Sequence, residues 1–351
     1  FREANELSVN GDPNHFNKIG KADAVRFNVV SHTKIENTLD DTQGNFYSEN
    51  SYNKNGVDKR NQIMYALNVG EMKANWGIQP IDGNAYINST SAYNHHIGQF
   101  TVLNTEGSRY VYGIPAYSVH QTNVSFATGD SDLPAILPQG ENIQKGRIGY
   151  TAGWDNSTGN GHGVDNYYNK LKTPAFAHSY LLTTVLNVDY VDADAITGPS
   201  KGDLGGYLKF KYKLHDASYI WRNPIEKDEA SFDEGLNSDP YDDKAHYTWG
   251  EKELWYLDTI ISKNHIAIFH TSNRNDGYEV LDENGGLNSS GKAMQKLDSI
   301  SLYSLPDYEL NGASATPLKT VHFEYNYSLC NNYSGNINPT EGKLTLTKIY
   351  F

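Results

Sequence analysis

The clearest feature of this chain is an alternation of apolar and polar residues along several short segments. Residues 208–214 place four apolar side chains on one face and three lysines on the other, and residues 321–327 alternate in a similar way. Residues 266–270 form a shorter, more continuously apolar run. A period of two is the spacing of a β-strand with one face in water, so these segments predict strands.

A short pattern precedes these segments and recurs along the second half of the chain. It consists of Leu, any residue, then Thr, Ser or Lys, then Ile or Val, and it occurs at residues 182–185, 257–260, 297–300 and 346–349. The first three copies are each followed by one of the segments above, which indicates an outbound strand, a connection and a return strand. Chance recurrence of a short pattern is the alternative, but the paired return strands favour a true repeat.

The predicted connections differ widely in length. Residues 262–264 form a tight turn, whereas residues 191–206 and 305–317 are long polar excursions rich in Gly, Asp, Asn, Ser and Pro. A further hairpin is predicted from residues 99–103 and 109–113. The predicted fold class is therefore all-β, with repeated long antiparallel β-hairpins in a curved sheet, long polar excursions and little helix.

The chain divides into three predicted regions. Residues 1–128 form an N-terminal β-rich region, and residues 129–163 form a Gly- and Asn-rich loop or joint. Residues 164–351 form the hairpin-repeat region. This region is expected to continue beyond residue 351 in a parent protein, since residues 343–351 have the pattern of a strand that lacks a partner on one edge.

Four local predictions complete the secondary structure. Residues 24–30 are typical of a strand, and residues 61–73 fit either a short helix or a strand pair. One or two helical turns are expected at residues 165–171. Cys330 is the single cysteine, which excludes an intrachain disulfide, and it is expected to be a small buried hydrophobic residue.

Composition supports a β-rich chain and excludes two classes of partner. With 26 Tyr, 12 Phe and 31 Gly, the sequence favours strands and turns over helices. A net charge of −13 opposes binding to nucleic acid, which requires a concentrated basic face, and to anionic lipid. Since no apolar run approaches about 18 residues, insertion into a membrane is not expected.

Several of these hairpins resemble a known family. Residues 100–113 are similar to the FxLxxxDGxxYxFG hairpin of RHS/YD-repeat and SpvB-like bacterial proteins, and residues 179–185 with 210–212 resemble their YLLTxI…xFxY hairpins. Residues 90–351 are also similar to very large proteins exported by type IX secretion systems. The tandem Tyr-Asp core of the RHS repeat and the aspartate motif for toxin release are absent.

This resemblance implies a location, partners and a role. It implies a secreted or cell-surface protein whose partners are other regions of the same large polypeptide, together with secretion machinery or surface glycans. The expected function is a non-catalytic structural module built as an RHS/YD-like scaffold. The alternatives are an adhesin module that binds carbohydrate or a partner, and the shell that encloses a polymorphic toxin.

Catalysis is not expected from the sequence. The motifs HExxH and GxSxG are absent. Glu251 and Glu253 could form the carboxylate pair of a glycosidase, but such pairs arise freely in acidic chains. The chain is therefore predicted not to be an enzyme, with no catalytic residue and no certain cofactor.

The candidate metal site is a calcium loop. Asp189, Asp192, Asp194 and Asp203 lie in one predicted hairpin connection that also contains Gly198. Calcium takes six to eight oxygen ligands, so an oxygen-rich loop of this kind suits it. Solvated turns are the alternative interpretation, because the loop contains no Glu that would close an EF-hand.

Two other kinds of site are suggested by short motifs. Thr259 and Ser299 each follow Asp and precede Ile, which resembles an O-glycosylation site of bacteria with type IX export. Four tryptophans could stack on sugars or belong to the core: Trp154, Trp221, Trp249 and Trp255.

Overall fold

A computed structural model describes residues 63–73, 92–128, 146–233 and 242–351, apart from residues 164, 195 and 197. Within these ranges the chain forms a 13-stranded antiparallel sheet, which confirms the all-β prediction. The strand predicted at residues 24–30 lies outside the described residues.

The strands are long, and the helices are short. The strands are β1 (Ile63–Asn68), β2 (Ile97–Leu103), β3 (Arg109–Ala127), β4 (Arg147–Gly149), β5 (Tyr168–Thr173), β6 (Phe176–Leu186), β7 (Tyr207–Asn223), β8 (Glu229–Asp233), β9 (Lys244–Ser262), β10 (His265–Tyr278), β11 (Ala293–Ser304), β12 (Lys319–Leu329) and β13 (Lys343–Tyr350). The helices are α1 (Val69–Lys73), α2 (Leu305–Asn311) and a 3-10 turn at Gly312–Ser314. Neither α1 nor α2 has the length or the hydropathy to cross a bilayer, and the same holds for every helix in the described residues.

The predicted hairpins are present in the structure. The pairs β2–β3, β6–β7, β9–β10 and β11–β12 are all antiparallel. The β6–β7 pairing is limited to three residue pairs that end at Leu186 opposite Tyr207, whereas the other edge of β7 pairs with β9 along most of its length. The hairpins are therefore local entry points into a larger sheet, and most pairing joins strands that are distant in sequence.

One prediction of secondary structure is wrong, and the tertiary context explains the difference. Residues 165–171 were expected to be helical, but Tyr168–Thr173 forms β5 along Gln121 to Phe126 of β3. The unsatisfied edge of β3 offers this segment backbone hydrogen bonds that an isolated helical turn lacks. The excursion at residues 305–317 contains α2, which Pro306 in the first turn and Gly312 at the end define.

Two other expectations are resolved by the structure. Residues 61–73 contain both a strand and a helical turn, since β1 leads directly into α1. Cys330 was expected to be buried, but it is exposed at the turn that follows β12, with a φ of 57°. The turn carries the side chain away from the sheet face that the preceding apolar residues suggested.

The central strand β3 organises the sheet. Its first half lies between β2 and β6, and its second half lies between β5 and β9. Because β6 pairs with β7 and β7 pairs with β9, the strands β3, β6, β7 and β9 form a closed circuit. Tyr117 of β3 is fully buried, and Leu181, Tyr212 and Trp255 pack against its cluster from the other three strands.

A second core lies at the other end of β3. Val124 and Phe126 of β3 pack with Tyr150, Ala230 and Tyr247. The rings of Tyr150 and Tyr247 stack with centroids 5.7 Å apart. The segments around β4 and β8 thus cover the C-terminal half of β3, and they bring several polar groups to the border of this core.

Gly250 is predicted to be essential where β9 crosses β3. A Cβ at this position would clash with the backbone of His120 and Gln121, whereas a Cβ at Gly161 meets nothing within 4 Å. We expect Gly250→Ala to lower the free energy of unfolding by roughly 1–3 kcal/mol, because the strand must shift. Urea denaturation measures this cost, and Gly161→Ala is the matched control. Equal stability of the two variants would contradict the close approach.

Candidate functional site

The acidic loop, residues 187–206, connects β6 to β7. One carboxylate oxygen from each of Asp192, Asp194 and Asp203 lies within 4.8 Å of the other two. Asp189 is not part of this group, and its Oδ1 accepts a hydrogen bond of 3.2 Å from the Gly206 backbone N–H. The structure therefore brings together three of the four carboxylates of the sequence-predicted calcium site.

Asp203 is buried at the centre of the acidic loop. Its Oδ1 accepts a hydrogen bond from the Ala193 N–H at 3.0 Å, and its Oδ2 accepts bonds from the Ser200 N–H and the Tyr190 hydroxyl, both at 2.8 Å. Burial alone raises the pKa of Asp203, but these hydrogen bonds outweigh it and the pKa is lowered. The carboxylate thus organises the loop through donors of the chain itself.

The carboxylates of Asp192 and Asp194 differ in their exposure and in their hydrogen bonds. Asp192 is exposed, whereas Asp194 accepts hydrogen bonds from the Ile196 N–H and the Ser200 hydroxyl. A calcium ion would need further oxygens from carbonyl groups or water to complete its shell. The calcium site stays a prediction for Asp192, Asp194 and Asp203.

The arginine hub, centred on Arg222 of β7, is a second polar centre. Its guanidinium is buried and lies 4.4 Å from the centroid of the Tyr247 ring. It donates hydrogen bonds to four backbone carbonyl oxygens and one hydroxyl, those of Pro224, Glu226, Glu229, Glu283 and Tyr150. A single cation thereby fastens three separate segments to the second core.

Sequence reasoning missed the arginine hub. Arg222 stands at the end of a strand and before Asn223-Pro224, where an arginine is usually solvated. Its acceptors lie as far as 72 residues away in the chain. The only local signal was the aromatic residues near it, which provide the surface that its planar group stacks upon.

Glu283 extends this network to the solvent. Its carboxylate accepts a hydrogen bond of 2.9 Å from the Tyr247 hydroxyl and forms an ion pair of 2.8 Å with Lys170 of β5. Burial is the main reason that the pKa of Tyr247 is raised. The Tyr247 phenol therefore remains neutral and can donate a hydrogen bond. Through Glu283, the network ties residues 279–292 to β5 and β9.

Glu251 and Glu253, the carboxylate pair considered for glycosidase chemistry, form hydrogen bonds with groups of the sheet. Glu253 is buried, and its Oε2 accepts hydrogen bonds from the Tyr117 N–H at 3.0 Å and the Trp255 Nε1–H at 2.9 Å. Glu251 accepts a hydrogen bond from the Ser218 hydroxyl. Glu253 of β9 thus supports the bulged part of β3 by accepting a hydrogen bond from the backbone N–H of Tyr117.

The remaining sequence candidates lie at varied depths. Thr259 is only 7% exposed, and β7 and β10 pair with it on both edges of β9. Ser299 of β11 pairs with His270 of β10 on one edge and with His322 of β12 on the other. O-glycosylation at these positions stays a prediction, and the burial of Thr259 argues against that position.

One of the four candidate tryptophans is exposed. Trp154 is 57% exposed in the loop after β4. Trp221, Trp249 and Trp255 are partly buried in strands, and the indole N–H groups of Trp221 and Trp249 are buried. The strand tryptophans therefore belong to the packing of the sheet, as the core interpretation expected.

Comparisons with known proteins give one distant likeness. No protein-family model and no curated protein matches the chain. Among solved structures, the N-terminal domain of the effector protein SpvB from Salmonella typhimurium strain LT2 is similar at 9% identity and a TM-score of 0.30. The match covers 84% of this chain and 66% of that one, slightly less than two thirds. A likeness at this level carries no argument about function.

Replacement of Arg222 is predicted to loosen the second core. Arg222→Lys keeps the charge but cannot reach five acceptors, so we expect a loss of roughly 3 kcal/mol in the free energy of unfolding. Chemical denaturation followed by tyrosine and tryptophan fluorescence measures the loss. Lys227→Met removes an exposed cation from the same loop as a control. A loss of similar size for both variants would contradict the special role of the hub.

Asp203→Asn is predicted to destabilise the acidic loop by roughly 1–3 kcal/mol, because an amide nitrogen would face an N–H or O–H donor. The lowered pKa of Asp203 means that its contribution is present above the ordinary Asp pKa of about 3.9 and is lost as the pH falls through the folded pKa. Asp192→Asn, at an exposed position, is the control. Melting curves against pH test both variants, and a stable Asp203→Asn protein would refute the interpretation.

The same melting curves test calcium. Adding about 1 mM CaCl2 should raise the melting temperature if the loop binds the ion, and Asp192→Asn should remove that rise. An unchanged melting temperature would show that hydrogen bonds alone organise the loop.

Proposed function

We propose that the chain is a non-catalytic structural module of a large secreted or cell-surface bacterial protein, built as a β-hairpin scaffold of RHS/YD-like kind. One observation carries this proposal. Two buried charged groups, Arg222 and Asp203, direct their hydrogen bonds to backbone groups of neighbouring excursions. Groups committed in this way give rigidity, whereas catalytic groups keep bonding capacity for a substrate.

A third buried charge supports the same role near the C-terminal strands. The Asp276 side chain is buried, and its Oδ2 accepts hydrogen bonds from the Arg274 Nη2 at 2.7 Å and the Leu344 N–H at 2.9 Å. The Asn275 N–H also bonds to the Tyr327 hydroxyl. These contacts join β10 to β12 and β13, so the last strands fold back on an earlier one. The end of the sheet is thereby given a defined shape.

The expected partner is another region of the same polypeptide, and β13 is its proposed contact. In the described part of the chain, β13 pairs with β12 and with no other strand. Leu346 and Ile349 are 47% and 51% exposed on this strand. A regular strand with a free edge and exposed apolar side chains is suited to pairing with a further strand.

Hydrogen exchange tests this proposal. We expect the amides of β13 to exchange more slowly in the native polypeptide from its producing cell than in the 351-residue chain. The double variant Leu346→Lys/Ile349→Lys should change the stability of the 351-residue chain by no more than about 0.5 kcal/mol, yet remove the extra protection in the native polypeptide. Leu310→Lys on α2, at a position 83% exposed, is the matched control.

Two outcomes would refute the scaffold. Equal exchange of β13 in both contexts would remove its proposed partner. Retention of a sugar on a glycan array, with loss of binding after Trp154→Ala, would favour the adhesin module instead.

A further inference from the structure

Two carboxyl groups from separate elements lie close to each other, one of them buried and the other partly buried. Asp216 lies at an irregular point of β7, where the register with β9 shifts on both sides of it. Glu279 follows β10 directly and begins the 279–292 excursion, which runs to the start of β11. Glu279 is only 8% exposed, and the Oδ2 of Asp216 is shielded from solvent. The residues around 292–293 bring the two groups together: His215, next to Asp216, has its Nε2 2.9 Å from the Ala293 carbonyl oxygen, and Glu279 Oε2 accepts from the Lys292 N–H.

The hydrogen bonds around this pair lack one donor. Asp216 Oδ1 accepts a bond of 3.0 Å from the Ser218 N–H, and Glu279 Oε2 accepts a bond of 3.2 Å from the Lys292 N–H. Beside Glu279, the Val280 N–H donates a bond of 3.2 Å to the Ile220 carbonyl oxygen, which holds the start of the excursion on β7. Asp216 Oδ2 receives no N–H or O–H donor from the described residues. Ionised carboxylates only accept hydrogen bonds, so two ionised groups could not satisfy each other.

A proton between the groups supplies the missing donor. We propose that Asp216 and Glu279 share one proton, and that this proton latch holds the 279–292 excursion on β7 and releases it when the proton is lost. With the proton on Glu279, its hydroxyl donates to the buried Oδ2 of Asp216. Without the proton, two like charges face each other in a site with little water, which is strongly unfavourable.

The neighbouring groups do not neutralise the pair. From β7, the Tyr219 hydroxyl donates to the carbonyl oxygens of Gly277 and Tyr278, and His215 Nε2 lies 2.9 Å from the Ala293 carbonyl oxygen. From β10, Arg274 is engaged by Asp276. The side chain of Lys292 is exposed.

On the other side, Glu251 of β9 accepts from the Ser218 hydroxyl. Within the described residues, no cationic side chain is hydrogen-bonded to either carboxyl group of the latch.

The electrostatics agree with this arrangement. Burial, and then the neighbouring Asp216, raise the pKa of Glu279. A raised folded pKa means that the stabilisation is fully present below the ordinary Glu pKa of about 4.3 and is lost as the pH rises through the folded value. The proton latch therefore opens with rising pH, opposite in direction to the acid sensitivity of Asp203 and Asp276, whose pKa values are lowered.

Release of the excursion would reach the arginine hub. The excursion carries Glu283, whose carbonyl oxygen accepts from Arg222 and whose carboxylate accepts from Tyr247. It also carries Asn284, whose side-chain oxygen accepts from the Tyr150 hydroxyl at 3.2 Å. Loosening residues 279–292 thus uncovers the aromatic border of the second core. This gives the scaffold a pH-dependent surface at one defined place.

Hydrogen exchange at several pH values, corrected for intrinsic rates, tests the proton latch on the 351-residue chain. The equilibrium constant for opening of residues 279–292 should rise about tenfold per pH unit between pH of about 4.3 and the folded pKa of Glu279, and then level off. Glu279→Gln should flatten this profile, because its amide is a permanent donor to Asp216. Glu106→Gln, at an exposed turn, should keep the wild-type profile.

The outcomes separate this proposal from the alternatives. Asp216→Asn should flatten the profile in the same way, which guards against a folding defect of a single variant. A wild-type profile without the rise, or a rise that persists in both amide variants, would overturn the shared proton. Closure of the excursion by calcium near pH 7 in the wild type would also overturn it, since the pair would then hold a cation.

Discussion

The rest of the structure depends on the pairing of β3 along both of its edges. A strand of 19 residues has more backbone groups than one hairpin partner can satisfy, and each buried group must be paired. β2 and β6 satisfy the first half of β3, and β5 and β9 satisfy the second half. Because β6 and β9 both return to β7, this requirement closes the circuit whose interior Tyr117 fills.

Polar excursions extend from this circuit of strands, and buried charged side chains hold them against the sheet by hydrogen bonds. Arg222 and Asp203 each bind backbone groups that a long excursion would otherwise leave in water, whereas Asp276 binds the backbone of β13. Such groups are expensive to desolvate, and they stabilise only when every donor or acceptor is used. The connections at residues 187–206 and 279–292 are therefore ordered by a few specific side chains, whereas the connection at residues 305–317 contains helix α2.

Three of the buried acids, Asp203, Asp276 and Glu279, respond to protons in opposite ways. Asp203 and Asp276 are stabilised as carboxylates by N–H and O–H donors, whereas Glu279 faces another acid and has a raised pKa. A scaffold with both kinds of site is most stable between the two limits, because acid weakens the former and base weakens the latter. Its excursions would then respond to the medium separately from the central circuit.

The sequence by itself determined the local part of this fold. The period-two pattern of residues 208–214 and 321–327 predicted strands, since alternation depends only on neighbouring residues and one wet face. The tertiary structure decided what depends on distant partners. It made residues 168–173 a strand because β3 had a free edge, and it placed Arg222 against Tyr150 and Glu283. It also brought Asp216 to Glu279 while leaving Asp189 out of the acidic group, and neither result has a local signal in the chain.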